Sequence, residues 1–141
     1  MADRLPPIDA DIRRAATLPS AVYADPAYFA LARDRVFART WQFVTDTDRL
    51  KAPGTLWPWT MLEGFVDEPL LLTRDSGDEL HCLSNVCTHR GNLLVEGEGR
   101  AQVLRCRYHG RRFALDGRFL TMPEFEDAAG FPSEADNLPR V

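Results

Sequence analysis

Residues 87–110 read CTHRGNLLVEGEGRAQVLRCRYHG, and this stretch decides how the rest of the chain is read. It opens and closes on two similar boxes, Cys87-Thr88-His89-Arg90-Gly91 and Cys106-Arg107-Tyr108-His109-Gly110, with sixteen residues between His89 and Cys106. Each box offers one sulphur and one imidazole a few residues apart, followed by a glycine that lets a loop close tightly. Short apolar runs flank them: Leu80–Val86 before the first, Val103–Cys106 leading into the second, and Arg112–Leu115 after it. Such runs between turn signals read as strands. The four candidate ligands, Cys87, His89, Cys106 and His109, therefore fall on turns between strands.

Outward from the boxes the same pattern continues. Asp116-Gly117 is a hairpin signal leading to Arg118–Leu120. Ser76-Gly77-Asp78 marks a turn between the apolar run Leu70–Thr73 and Leu80–Val86. Earlier still, Trp57, Trp59 and Met61 alternate with Pro58, Thr60 and Leu62. On the strand 80–86, Leu80, Cys82, Ser84 and Val86 share a face, so Cys82 reads as a buried core residue. Beyond Pro123 the chain turns acidic and irregular. Residues 43–141 thus read as a small, mainly β, antiparallel domain. Before it, residues 1–24, with prolines at 6, 7 and 19, read as an extended arm. Asp25-Pro26 is a helix start, an N-cap acceptor ahead of proline at the first helical position. Phe29, Ala32, Val36 and Phe37 then recur at helical spacing, which predicts an amphipathic lead-in helix within residues 25–42.

Composition narrows the class. The 141 residues carry a net charge of -4, which argues against a general nucleic-acid binder. No apolar run is long enough to span a membrane, and the first residues lack the apolar core of a secretory signal, so the expected place is the cytoplasm. Three cysteines do not make a disulfide framework. Six arginines fall between Arg100 and Arg118 against the single acid Asp116, whereas Glu124 to Asp136 holds five acids and no base. Both blocks read first as solvated surface.

Two thiols and two imidazoles suit either of two centres. One is a pair of bridged irons, a thiolate pair on one iron and an imidazole pair on the other. The other is a mononuclear zinc. Zinc fingers, however, usually pair Cys with Cys and His with His, the histidines on a helix. Here the order alternates and glycine follows each pair.

The boxes resemble those of the Rieske family, in particular its oxygenase branch. Asn85-Val86 before the first box, Cys-x-His-Arg-Gly within it, Cys-x-Tyr-His-Gly in the second and Phe113-Ala114-Leu115-Asp116-Gly117 after it carry the likeness. The stretch Phe37-Ala38-Arg39-Thr40-Trp41-Gln42-Phe43-Val44 is similar to the lead-in of the α subunits of Rieske non-haem iron (aromatic-ring-hydroxylating) oxygenases. The resemblance implies a Rieske-type β sandwich or barrel with two cluster-binding loops. It also implies one two-iron, two-sulphur cluster held by Cys87, His89, Cys106 and His109, and one-electron transfer as its chemistry. The extra cysteine pair of the respiratory relatives is missing, with Asn92 and Tyr108 in those neighbourhoods. Tyr108 would tune the cluster through a hydrogen bond to sulphur or simply pack. Where the family commonly has tryptophan after the second His-Gly, this chain has Arg111.

Whole oxygenases also hold a mononuclear iron, usually in a two-histidine, one-carboxylate triad. Of the histidines 81, 89 and 109, only His81 is left once two serve the cluster. The expectation is the cluster-bearing part of a truncated or split oxygenase α subunit. It would take electrons from a reductase or ferredoxin and pass them to a separate catalytic domain or subunit, with no nucleic-acid or membrane partner. The arginine-rich face would steer an acidic donor. A free-standing Rieske-type ferredoxin is the alternative, and substrate and oligomeric state stay open.

Overall fold

A computed structural model describes residues 6–141 except Glu126, so the first five residues of the expected arm and one acid of the acidic run lie outside the described residues. The chain forms two compact units that divide between Val44 and Thr45. Among the described residues no helix is long and apolar enough to cross a membrane.

The first unit contains two helices, α1 (Ala21–Ala24) and α2 (Pro26–Arg35). The short α1 stands where the sequence suggests an extended arm. Asp25 caps α2 as expected, its Oδ1 accepting the Ala27 N–H at 2.9 Å ahead of Pro26. The helix stops earlier than its apolar spacing implies. Arg39 Nε donates to the Asp34 carbonyl at 3.0 Å, occupying an acceptor that a further turn would need, and Phe37–Arg39 forms a 3-10 turn instead. No residue of α2 is buried. Arg35 explains the weak sidedness: four residues after Leu31 and seven after Tyr28, it falls on the same face as the apolar side chains.

The second unit is mainly β and antiparallel. Strands β1 (Thr55–Met61), β2 (Glu68–Arg74), β3 (Leu80–Ser84) and β4 (Gly99–Arg100) make one sheet in the order β3-β2-β1-β4. Its register sets Leu56 opposite Thr73 and Leu71 opposite Leu83. Pro58 fits within β1 because β4 pairs only with Thr55 and Leu56, leaving that side of Pro58 at an edge where no N–H is needed. Asp75 forms the β2–β3 turn by accepting the N–H groups of Gly77 and Glu79 at 2.8 and 2.9 Å. A second sheet, β5 (Leu104–Arg105), β6 (Arg112–Phe113) and β7 (Phe119–Thr121), has the order β5-β6-β7.

One core joins the sheets: Leu56, Leu71 and Leu83 from the first pack with Leu104 and Phe113 of the second, and with Leu94, Leu115 and Leu138. Thr73 is fully buried, and its hydroxyl donates across the core to the Leu115 carbonyl at 2.6 Å. The core residue of β3 is Leu83; Cys82, expected in the core, is only half-buried on the other face. The irregular tail has a defined job at its end. Pro139 O accepts from Ser84 N–H and Val141 N–H donates to Cys82 O, so residues 138–141 cover the outer edge of β3. Leu138 N–H also reaches Gly117 O at 2.8 Å, tying the tail to the Asp116-Gly117 turn.

Candidate metal centre

Both boxes fold into the same kind of loop, and the backbone shows why. In each, the cysteine N–H donates to the carbonyl five residues on: Cys87 to Asn92 at 2.9 Å, Cys106 to Arg111 at 2.8 Å. In each, the cysteine carbonyl accepts the N–H of the glycine four residues on, from Gly91 and Gly110 at 3.0 Å. Those glycines have φ of 68° and 76°, the left-handed turn that closes a loop at no Cβ penalty. Antiparallel pairing brackets both loops, with Val86 opposite Leu93 around the first and Arg105 opposite Arg112 around the second. Two hairpins of equal loop length therefore present their cysteines from equivalent positions, with the histidine two residues on in the first loop and three in the second.

The first hairpin is braced from beneath by Asn85, buried at 2 % exposure. Its side chain donates to the Val95 carbonyl at 2.8 Å and accepts the Val95 N–H at 3.0 Å. In the second, the β5–β6 pairing does the same work.

The structure brings the four candidate ligands together. Cys87 and Cys106 are each 2 % exposed and belong to the same core cluster. His89 and His109 meet edge to face with ring centroids 4.8 Å apart. The sulphurs thus lie on the inner side and the imidazoles on the outer. Both histidines line an open pocket of about 380 Å³ with Arg90, Met122, Pro123, Glu124 and Phe125. The Phe125 ring stands edge-on to His89 at 6.1 Å, and Tyr108, more than half exposed, stacks on His109 at 3.8 Å.

At Cys87 and His89 the surroundings favour the neutral form. Burial pushes the Cys87 thiol up, with the neighbouring Cys106 adding to it, against a lowering hydrogen bond from the His89 backbone. Desolvation, then His109, Arg90 and Arg111, hold the proton affinity of His89 below that of free imidazole. Among the described residues, three buried side-chain nitrogens lack a partner, and two of them, His109 Nδ1 and Arg111 Nε, are in this neighbourhood. A buried ring nitrogen without a partner is costly unless something fills the place it faces. A metal is one such occupant, and two sulphurs with two ring nitrogens are a fitting donor set for a mixed Cys/His iron–sulphur cluster.

Other sequence expectations fare differently. His81 pairs with Asp75, Nε2 to Oδ2 at 2.8 Å, in a group with Glu79 on the β2–β3 turn. Arg111, counted as part of a solvated arginine block, is buried at 3 % exposure, while the other five arginines of that block are exposed. Its partners, Thr88 and Asp136, were not singled out by the sequence either. The position of Arg111 immediately after the second glycine, in place of an aromatic residue, was the available signal.

Comparison with known proteins places the chain in a family. The family described as Rieske [2Fe-2S] domain matches residues 40–132. Choline monooxygenase, chloroplastic, of Amaranthus tricolor is 34% identical over 118 residues, covering 84% of this chain and 26% of that protein. The carnitine monooxygenase oxygenase subunit of Escherichia coli K12 is 32% identical over 130 residues, covering 92% of this chain and 34% of its own length. Among solved structures, a quaternary ammonium Rieske monooxygenase in complex with L-carnitine superposes with a TM-score of 0.80 at 27% identity, covering 89% of this chain and 35% of that one. A naphthalene 1,2-dioxygenase gives 0.74 at 28% identity, over 88% of this chain and 28% of that chain. The chain spans roughly a quarter to a third of the length of these relatives.

Proposed function

The chain belongs to the Rieske [2Fe-2S] domain family, and on that premise we propose that Cys87, His89, Cys106 and His109 hold its cluster and that residues from about 43 onward act as the electron-transfer part of an oxygenase. The observation that carries this reading is the pair of matched hairpin loops whose thiols and imidazoles converge, with His109 Nδ1 buried and unpartnered. When bound, the cluster accepts and releases one electron at a time.

The residues divide the remaining work. Cys87 and Cys106 supply the anionic donors from inside the core, where their burial keeps water away. His89 and His109 supply neutral donors, which remove negative charge from the centre and make the reduced state less costly than with four thiolates. Their place beside the open pocket makes the imidazole side the face towards a redox partner. Tyr108 and Phe125 hold the two rings in orientation from outside.

The relatives are oxygenase components, and on that likeness the electron comes from a reductase or ferredoxin and goes to a mononuclear iron held outside these 141 residues. The three histidines support this: two serve the cluster and His81 is engaged with Asp75, so a two-histidine triad is beyond the chain's own supply. The test is His109→Cys. It should retain iron and lower the midpoint potential by replacing a neutral donor with an anion; retention of iron at an unchanged potential would remove His109 from the ligand set.

A further inference from the structure

Arg111 ties the two ligand loops together. Its carbonyl accepts the N–H of Cys106 at 2.8 Å, closing the second loop. Its guanidinium reaches across to the first, donating through one terminal nitrogen to Thr88 Oγ1 at 2.6 Å, and Thr88 lies between Cys87 and His89. Through the other terminal nitrogen it donates to Asp136 Oδ1 at 2.7 Å. Thr88 completes the ring by donating its hydroxyl proton to the Asp136 carbonyl at 2.9 Å. Asp136 is itself fixed, its Oδ2 accepting from the N–H and the hydroxyl of Ser133. The guanidinium packs against the edge-to-face pair of Phe119 and Phe131, 5.1 and 5.4 Å from their centroids, and is cut off from solvent.

A buried cation is costly, and a single carboxylate offsets only part of that cost. Here the third guanidinium nitrogen, Nε, has no partner at all. Packing alone would be served by an apolar side chain against this pair of phenylalanines. A charge held at this expense beside the ligand loops has an electrostatic effect on whatever the loops enclose. Reduction adds one negative charge to the enclosed cluster, and a fixed cation nearby in low dielectric favours it.

We propose that Arg111 is a positioning and potential-setting residue of the cluster site, locking the Thr88 loop to the Asp136 segment and raising the reduction potential, with Asp136 as an opposing charge that limits the rise. The proposal rests on the reading that Cys87, His89, Cys106 and His109 hold the cluster. Arg111 stabilises the reduced form, and Asp136 destabilises it to a smaller degree because it is nearer to solvent, its side chain 18% exposed against 3% for Arg111.

The experiment is a redox titration of the iron-loaded chain and its Arg111→Gln, Arg111→Lys and Asp136→Asn variants, followed by visible absorption, with iron and sulphide counted in each. Arg111→Gln should lower the ratio of reduced to oxidised cluster at fixed applied potential at least threefold, about 28 mV at 59 mV per decade for one electron. Arg111→Lys should recover most of that loss, and Asp136→Asn should shift the ratio the opposite way. If Arg111→Gln does not load, Asp136→Asn carries the test by the sign of its shift. Full loading with an unmoved midpoint in both Arg111→Gln and Asp136→Asn, or shifts of the same sign, would overturn the proposal. A wild-type chain that takes up no iron and sulphide would instead overturn the ligand assignment beneath it.

Discussion

Replacing Asn85 by alanine tests whether the first ligand loop is held from beneath in the way the structure describes. Asn85 is 2 % exposed and its amide forms a two-way clasp with the Val95 backbone, at 2.8 and 3.0 Å. Its own carbonyl accepts the Leu94 N–H at 3.0 Å, and its N–H donates to Pro69 O at 2.9 Å, so the backbone stays anchored after truncation. The variant therefore loses the clasp alone. It leaves a Val95 N–H and a Val95 carbonyl without partners, each costing about 1–3 kcal/mol when buried. Val95 is only partly buried, which favours the low end for each group. The sum is about 2 kcal/mol, with a small addition from the space left by the side chain. For a domain of this size the melting temperature should fall by about 8–16 °C. Urea unfolding of the chain, with and without bound metal, measures it, using tryptophan fluorescence. Asn92→Ala is the control: that amide touches only the Leu93 carbonyl, on the exposed side of the loop, and should cost about 0.5 kcal/mol or less. Equal effects of the two substitutions would refute the reasoning, because loop loss would then not depend on the clasp.

Three further substitutions probe the scaffold. Gly117→Ala should destabilise by about 2 kcal/mol or more in thermal unfolding, since φ is 88° there and an added Cβ would sit 2.9 Å from Leu83 Cδ2; an unchanged melting temperature would contradict the close packing of the Asp116-Gly117 turn. Thr73→Val keeps the side-chain volume but strands the Leu115 carbonyl, so denaturant titration should show a loss of about 1–2 kcal/mol. Asp136 is held below the usual carboxylate range, first by the Ser133 N–H and next by the Arg111 guanidinium. Because its native proton affinity is depressed, its contribution is fully present above the ordinary value of about 3.9 and is lost as pH falls through the lower native value. Asp136→Asn should therefore flatten the acid limb of the stability curve, and an unchanged limb would show that this pair does not contribute to acid sensitivity.

The ligand boxes and the β character of residues 43–141 were legible because they depend on local chemistry. A Cys-x-His or Cys-x-x-His box with its closing glycine needs no distant partner to be recognised. The Asp116-Gly117 turn and the Asp25-Pro26 helix start are likewise set by dihedral preference and capping. What escaped the sequence depends on contacts between distant segments. Cys82 was placed in the core by alternation, but the face of β3 that matters is set by what covers it, and Leu83 faces Leu71 and the second sheet. The extent of α2 was overread, since Arg35 interrupts the apolar face and Arg39 takes the Asp34 carbonyl. Arg111 looked like surface among five other arginines. Its burial is created by Asp136, 25 residues later, and by two phenylalanines on other segments.

The most direct test of the central claim is a count of iron and acid-labile sulphide in the purified chain, together with EPR of the reduced protein. Two irons and two sulphides per chain, with a spectrum of mixed histidine and cysteine ligation, are expected from the four converging ligands. One zinc per chain with no sulphide would contradict the account, since the same two thiols and two imidazoles would then be closing a tetrahedral structural site.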